Sequence, residues 1–174
     1  MSRGLPFIIP ERDLHFRLAR VLVIVDSLSY SSKGNPILDA EKISIFEFLI
    51  KYPYILSLVI KSKESKNLDA NLKLYQEEVG NIESLFPNSS FLNEFSSVKM
   101  ILSILVSYNL VGIDVQKNKK DIFFVVNQEG KTFINNLNEE YIVRMKELCN
   151  SLLTLRSVKN NELKKMINPL IKGV

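Results

Sequence analysis

Few residues in this chain have the type and spacing that chemistry needs. Gly130-Lys131-Thr132 follows an apolar run and opens an amphipathic one. That is the end of a phosphate-binding loop, whose full form carries a glycine five residues before Gly130. That position is Val125, so the backbone cannot wrap a phosphate, and a turn glycine beside a helix start is the preferred reading. Glu129-x-Lys131, with Asp114 or Asp121 upstream, matches the end of a nuclease signature. Such a site needs carboxylates converging on a divalent ion. Here Asp121 falls at a polar tip and Glu129 in a turn, which point apart. His15 and Cys149 are each the single residue of their type. One His and one Cys exclude an internal disulfide and a Cys/His metal cluster. Cys149 lies on an apolar stripe and reads as a buried structural thiol. Glu77-Glu78 and Glu139-Glu140 are successive in sequence and do not share a helix face. The chain is therefore read as non-enzymatic, with no catalytic residues, no cofactor and no metal.

Two clusters remain as candidates for binding. Lys117, Lys119 and Lys120 crowd one short polar segment, offset by Asp114 and Asp121. They could touch the nucleic-acid backbone without sequence preference, through counterion release, or only solubilise a tip. Ile142, Met145, Leu148, Leu152 and Leu155 form an apolar stripe with Cys149, which could pack internally or receive a partner helix.

Composition frames these candidates. The chain has 174 residues, 46% of them hydrophobic and 24% charged, with a formal net charge of +4. This is an ordinary balance for one globular unit with its own core, and it excludes disorder as the main state. The excess positive charge lies in the tail: from Arg144 to Lys172 seven basic residues face only Glu147 and Glu162. The greasiest stretch, Ile43 to Ile60, is broken by Glu47, Lys51 and Pro53. It is shorter and more interrupted than a membrane span requires, so no membrane contact is expected. With no export-type apolar run at the start, the expected location is the cytoplasm.

The elements that must position these groups follow from periodicity. Leu5 to Pro10 reads as an N-terminal arm within residues 1–10. Helices are expected over Glu11–Ser29, over Ala40–Lys51 with Asp39 as N-cap, and from Pro53 to Ile60. Lys61–Lys66 reads as a loop, Leu68–Phe86 as a helix, Pro87–Ser90 as a turn, and Phe91–Tyr108 as a strong helix. Val111, Ile113 and Val115 alternate, a polar tip follows, and Ile122 to Val126 is β-branched and aromatic, which together read as a β-hairpin. A helix is expected from near Lys131, and two more in the tail. The fold class is thus mainly α with a small β-hairpin. It reads as a winged-helix-like domain over 11–140, its wing at about 110–127, with additional N- and C-terminal helices. Residues 141–174 are expected to pack on the same domain. Phe91–Tyr108 holds Lys99 as its only basic residue, opposed by Glu94, which suits base reading poorly.

Three segments in this order resemble a known family. They are Arg20-Val21-Leu22-Val23-Ile24-Val25-Asp26, the helix Leu38-Asp39-x-x-Lys42-Ile43-x-x-Phe46-x-x-Leu49, and the helix–wing unit ending Asn127-x-Glu129-Gly130-Lys131-x-Phe133. Together they resemble the middle component of bacterial three-component ABC systems, to which the Lamassu-type defence systems belong. Asn127 stands where Thr is more usual. The resemblance implies a non-catalytic accessory subunit. Its implied partners are a large ATPase of the chromosome-maintenance and double-strand-break-repair type and an effector, often a nuclease, acting against phage or plasmid DNA. A winged-helix transcriptional regulator, dimeric and specific for a palindromic site, is the alternative reading.

Overall fold

The computed structural model describes residues 13–63, 72–79, 88–115 and 121–171, with the side chains of 88–96 left aside. Among these residues seven α-helices and one two-stranded antiparallel sheet form the fold, which is mainly α with a small hairpin. The proposed arm at 1–10 lies outside the described residues.

Helix α1 (Leu14–Leu28) starts at Asp13, whose carboxylate accepts the backbone N–H groups of His15 at 2.8 Å and Phe16 at 3.3 Å. That cap places the start three residues later than Glu11. Six consecutive residues, Arg20 to Val25, are buried. A helix apolar on all sides belongs in the middle of a fold, and α1 is enclosed by α2, the second strand and three later helices. Helix α2 (Ala40–Lys51) is likewise capped by Asp39, which accepts the Lys42 N–H at 2.7 Å, and is buried without a break from Lys42 to Ile50. Pro53 has no N–H to continue α2. The chain bends by 111° and resumes as α3 (Pro53–Lys63). The greasy stretch is therefore core. Among the described residues no single helix is long and apolar enough to cross a membrane.

Helix α4 (Asn88–Ser107) packs on α2 and ends at Asn109, which adopts φ 55°. Asparagine tolerates this left-handed conformation better than most residues. Strands β1 (Val111–Val115) and β2 (Ile122–Val126) then pair, with Val111 opposite Val126, Ile113 opposite Phe124 and Val115 opposite Ile122. The Phe124 N–H donates to the Leu38 carbonyl at 2.8 Å, so the segment before α2 lies against the outer edge of β2. Asn127 closes the root of the hairpin. Its N–H donates to Leu110, and its amide donates to the Asn109 carbonyl at 3.2 Å and to the Asn109 side-chain oxygen at 2.9 Å. Helix α5 (Gln128–Asn135) follows, then α6 (Glu140–Leu152) along α1 and α7 (Asn160–Ile171) across α2 and α3.

Helix α7 is fastened through its first turns. Asn160 donates to both Asp39 oxygens and to Glu41, and Lys164 pairs with Glu41, which holds the Glu41 carboxyl below its usual range. The Lys42 ammonium donates to the Arg156 carbonyl at 3.1 Å, and burial pushes its pKa down.

Four sequence expectations change. Lys61–Lys63 is the last turn of α3 rather than loop, and Asn88–Ser90 is the first turn of α4 rather than a turn before it. Helix α5 begins at Gln128, three residues before Lys131. Residues 72–79 form no α-helix: irregular chain flanks one 3-10 turn at Gln76–Glu78, with Tyr75 and Val79 in extended conformation. The cause is Arg144 on α6. Its guanidinium clamps Glu78 at 2.8 and 2.6 Å, donates to the Lys73 carbonyl at 2.8 Å, and stacks 4.2 Å from the Tyr75 ring. These ties hold out of a helix a segment whose apolar spacing alone reads as helical.

Candidate partner-binding site

The apolar stripe of α6 is interior. Ile142, Met145, Leu148, Leu152 and Leu155 are all buried in the chain's own core, the first four on the α6 face that packs along α1 and Leu155 in the turn that follows. Because α1 is buried on every side from Arg20 to Val25, it accepts this stripe itself. Of the two readings of this stripe, internal packing or a seat for a partner helix, the fold shows the internal packing. Cys149 lies at the same interface, 0% exposed, and burial pushes its thiol up to about 12. At neutral pH it is an uncharged packing group. The wing lysines Lys117, Lys119 and Lys120 lie outside the described residues.

Gly130 and Lys131 sit in the first turn of α5, where Gly130 is buried and Lys131 exposed. A Cβ on Gly130 would stand 2.2 Å from the Leu110 carbonyl oxygen and 2.9 Å from Val126. The glycine is there because α5 crosses the root of the hairpin at contact distance. Asp121 and Glu129 are exposed and Asp114 is half-buried. Among the described residues no three His, Cys, Asp or Glu side chains come together.

Beneath the first turns of α1 lies a charged network the sequence did not reveal. Glu47 of α2 is 1% exposed. It accepts Arg17 through both oxygens at 2.7 and 2.9 Å, and Arg20 at 3.2 Å. Arg20, 4% exposed, also donates to the Tyr141 hydroxyl at 3.1 Å. Two guanidinium groups thus share one buried carboxylate, and the Arg20 Nε has no hydrogen-bond partner among the described residues. Buried charges are tolerated only when paired in this way. The network ties α1, α2 and α6 at one end, and Phe16 meets Tyr141 edge-on with ring centres 5.0 Å apart.

That end of α1 forms one wall of an apolar groove of about 470 Å³. Phe16, Leu18, Ala19 and Leu22 come from α1, Ile104, Leu105 and Tyr108 from α4 and the turn after it, Phe133 from α5, Leu137 from the connection that follows, and Tyr141 and Ile142 from α6. Its floor is buried at Leu22, Leu105 and Ile142, whereas Tyr108 is 72% and Phe133 47% exposed at the rim. His15 and Glu139 are its polar lining. Its concave apolar floor, aromatic rim and few polar groups share the general form of sites that receive a side chain or ligand. Sequence reasoning missed it because its walls come from four elements distant in sequence. The available signal was the i, i+4 pair Phe133 and Leu137, which line the groove together.

Residues 28–165 match the family model for the ABC-three component (ABC-3C) system Middle Component 4. The chain belongs to this family. The matched region starts at the end of α1 and ends within α7. In this middle component it therefore contains the hairpin, Glu47 and Tyr141 of the buried network, and the α4, α5 and α6 walls of the groove. The α1 wall and both arginines of the network precede it. No curated protein and no solved structure matches the chain. A middle component is one part of a system of several components, which implies other subunits as partners.

Proposed function

We propose that this middle component is a non-catalytic accessory subunit of a cytoplasmic defence complex against phage or plasmid DNA, of the Lamassu type. In this reading it binds a large ATPase of the chromosome-maintenance type near its head or coiled coil and restrains a nuclease-type effector. The observation that carries the reading is the family match over most of the chain.

A winged-helix unit over residues 11–140 fits the observed order. Helix α1, the Leu38 stub against β2, helix α2, helix α4 and the β1–β2 hairpin occur in the order of such a unit, with α3 and residues 64–87 inserted between α2 and α4. Residues 141–174 complete it through α6 on α1. In this reading Lys117, Lys119 and Lys120 at the wing tip contact DNA phosphates without sequence preference. The surface of α4 weighs against a sequence-specific regulator. Between residues 97 and 107 its exposed positions are Lys99, Met100, Ser103 and Ser107, a poor set for reading base edges.

The groove rimmed by Tyr108 and Phe133 is the proposed seat of the ATPase, which inserts an apolar side chain between them. Placing a carboxylate at this rim leaves the fold intact, because Phe133 is half exposed, but buries a charge when the partner binds. Co-expression of Phe133→Asp with the flanking genes is expected to lower recovery of the ATPase at least about tenfold, a difference of about 1.4 kcal/mol. Replacing Lys117, Lys119 and Lys120 together by Gln is expected to leave that recovery unchanged and to weaken retention of DNA. Full recovery of the ATPase with Phe133→Asp would place the binding surface elsewhere.

A further inference from the structure

The hairpin has an outer edge that no described residue pairs with. Hydrogen bonding in an antiparallel pair alternates, so that one residue faces its partner strand and the next faces away. The Phe124 N–H donates outward to Leu38, and the Asn127 N–H donates across to Leu110. On β1, Gly112 and Asp114 therefore bond to β2, while the N–H and C=O groups of Val111, Ile113 and Val115 point to the opposite edge. Leu38 covers the outer edge of β2; nothing among the described residues pairs with the outer edge of β1. The side chains beside this edge are apolar: Ile113 is 53% exposed, Val115 58% and Ile122, cross-strand from Val115, 51%. Free edges are ordinarily protected by lysine, proline or a bulge. Strand β1, Val-Gly-Ile-Asp-Val, has no lysine, proline or bulge, and its one charge is Asp114.

We infer that β1 is a self-association edge, pairing antiparallel with β1 of a second copy about a two-fold axis through Ile113. The strand is self-complementary in that register. Val111 falls opposite Val115 of the second copy, Ile113 opposite Ile113, and Asp114 opposite Gly112. The two carboxylates thus face glycines instead of each other, which removes the like-charge repulsion that directly opposed acids would bring. A register shifted by two residues toward the tip would set Asp114 opposite Asp114. A two-fold contact of this kind uses the same patch on both copies and closes at the dimer. The four strands present Ile113, Val115 and Ile122 of both copies on one continuous apolar face. Addition of a strand at an open edge is a recurrent recognition mode, with affinity from the main chain and register from the side chains.

The test is disulfide trapping on the purified full-length chain. In this register Ile113 and its symmetry mate have Cα atoms about 5.5 Å apart, within disulfide reach. Val115 and its mate are four residues apart along the paired strands, about 13 Å, beyond reach. Cys149, buried and with its thiol pushed up to about 12, stays silent. Under mild oxidation Ile113→Cys is expected to form covalent dimer at least about tenfold faster than Val115→Cys. In parallel, sedimentation at high micromolar concentration is expected to show a wild-type dimer. Ile113→Lys, with an unchanged circular dichroism spectrum, should be monomeric. Equal cross-linking rates for the two cysteines would overturn the register. A monomeric wild-type chain without preferential cross-linking would overturn the association, as would a dimer that survives Ile113→Lys.

Discussion

Glu47→Gln is expected to destabilise the protein by about 3–5 kcal/mol, the cost of removing one partner from a buried ion pair. Glu47 accepts from both Arg17 and Arg20. With an amide in its place Arg20, 4% exposed, keeps a full charge in the interior with the Tyr141 hydroxyl as its remaining hydrogen-bond partner here. In a chain of this length each kcal/mol lowers Tm by about 2–4 °C, so thermal unfolding followed by circular dichroism should show a drop on the order of 10 °C. Arg20→Met should cost less than half as much, because the two-pronged Arg17–Glu47 pair survives it. A Glu47→Gln protein within about 1 kcal/mol of wild type would show that the network is not a buried charge balance.

The second large effect is expected at Gly130. In an open helix, alanine would be favoured over glycine by about 1 kcal/mol. Here the sign should reverse. The added Cβ would stand 2.2 Å from a backbone oxygen, Leu110 O, and 2.9 Å from Val126 Cγ2. A carbonyl in the hairpin root cannot rotate away as a flexible side-chain end can, least of all while it accepts the Asn127 N–H. Gly130→Ala must push α5 off the hairpin, at a cost of about 2–3 kcal/mol by the usual scale for overpacking. Urea unfolding with unchanged slope and a lower midpoint would show it. A more stable Gly130→Ala variant would contradict the close crossing. The exposed Lys131 next to it should tolerate alanine within about 0.5 kcal/mol.

This position shows how the sequence could be read and where the reading stopped. Gly130-Lys131-Thr132 drew attention as a truncated phosphate loop, and its departure from the full pattern at Val125 argued for a turn glycine beside a helix start; Gly130 instead lies inside the first turn of α5, buried against the hairpin. What it packs against, the Leu110 carbonyl twenty residues earlier, is a tertiary fact that no local pattern carries. The hairpin was legible because its alternation is strict and its tip polar, and α2 because Asp39 and Pro53 punctuate it. Periodicity misled where tertiary contacts outweighed it. Residues 72–79 have helical spacing, yet a single arginine from α6 holds them out of a helix. The α6 stripe has the spacing of an exposed amphipathic surface. It became core because α1, buried on every face from Arg20 to Val25, needed a neighbour on that side.

The same logic explains why the groove and the charged network were hidden. Arg17 and Arg20 read as the polar face of a helix, and Glu47 as an interruption in a greasy one. Only the crossing of α1 over α2 makes them partners thirty and twenty-seven residues apart. The groove joins that crossing to the aromatic ends of α4 and α5. It thereby links the buried charged network to the exposed rings of Tyr108 and Phe133.

Co-purification of the wild-type chain with the products of its flanking genes tests the central claim most directly. Tagged chain, expressed with those genes and recovered at moderate salt, should bring down the encoded ATPase in a fixed ratio and retain DNA only weakly and without sequence preference. Recovery of the chain without the ATPase, shifting one DNA fragment with nanomolar, salt-sensitive specificity, would contradict the subunit reading and make this protein a regulator.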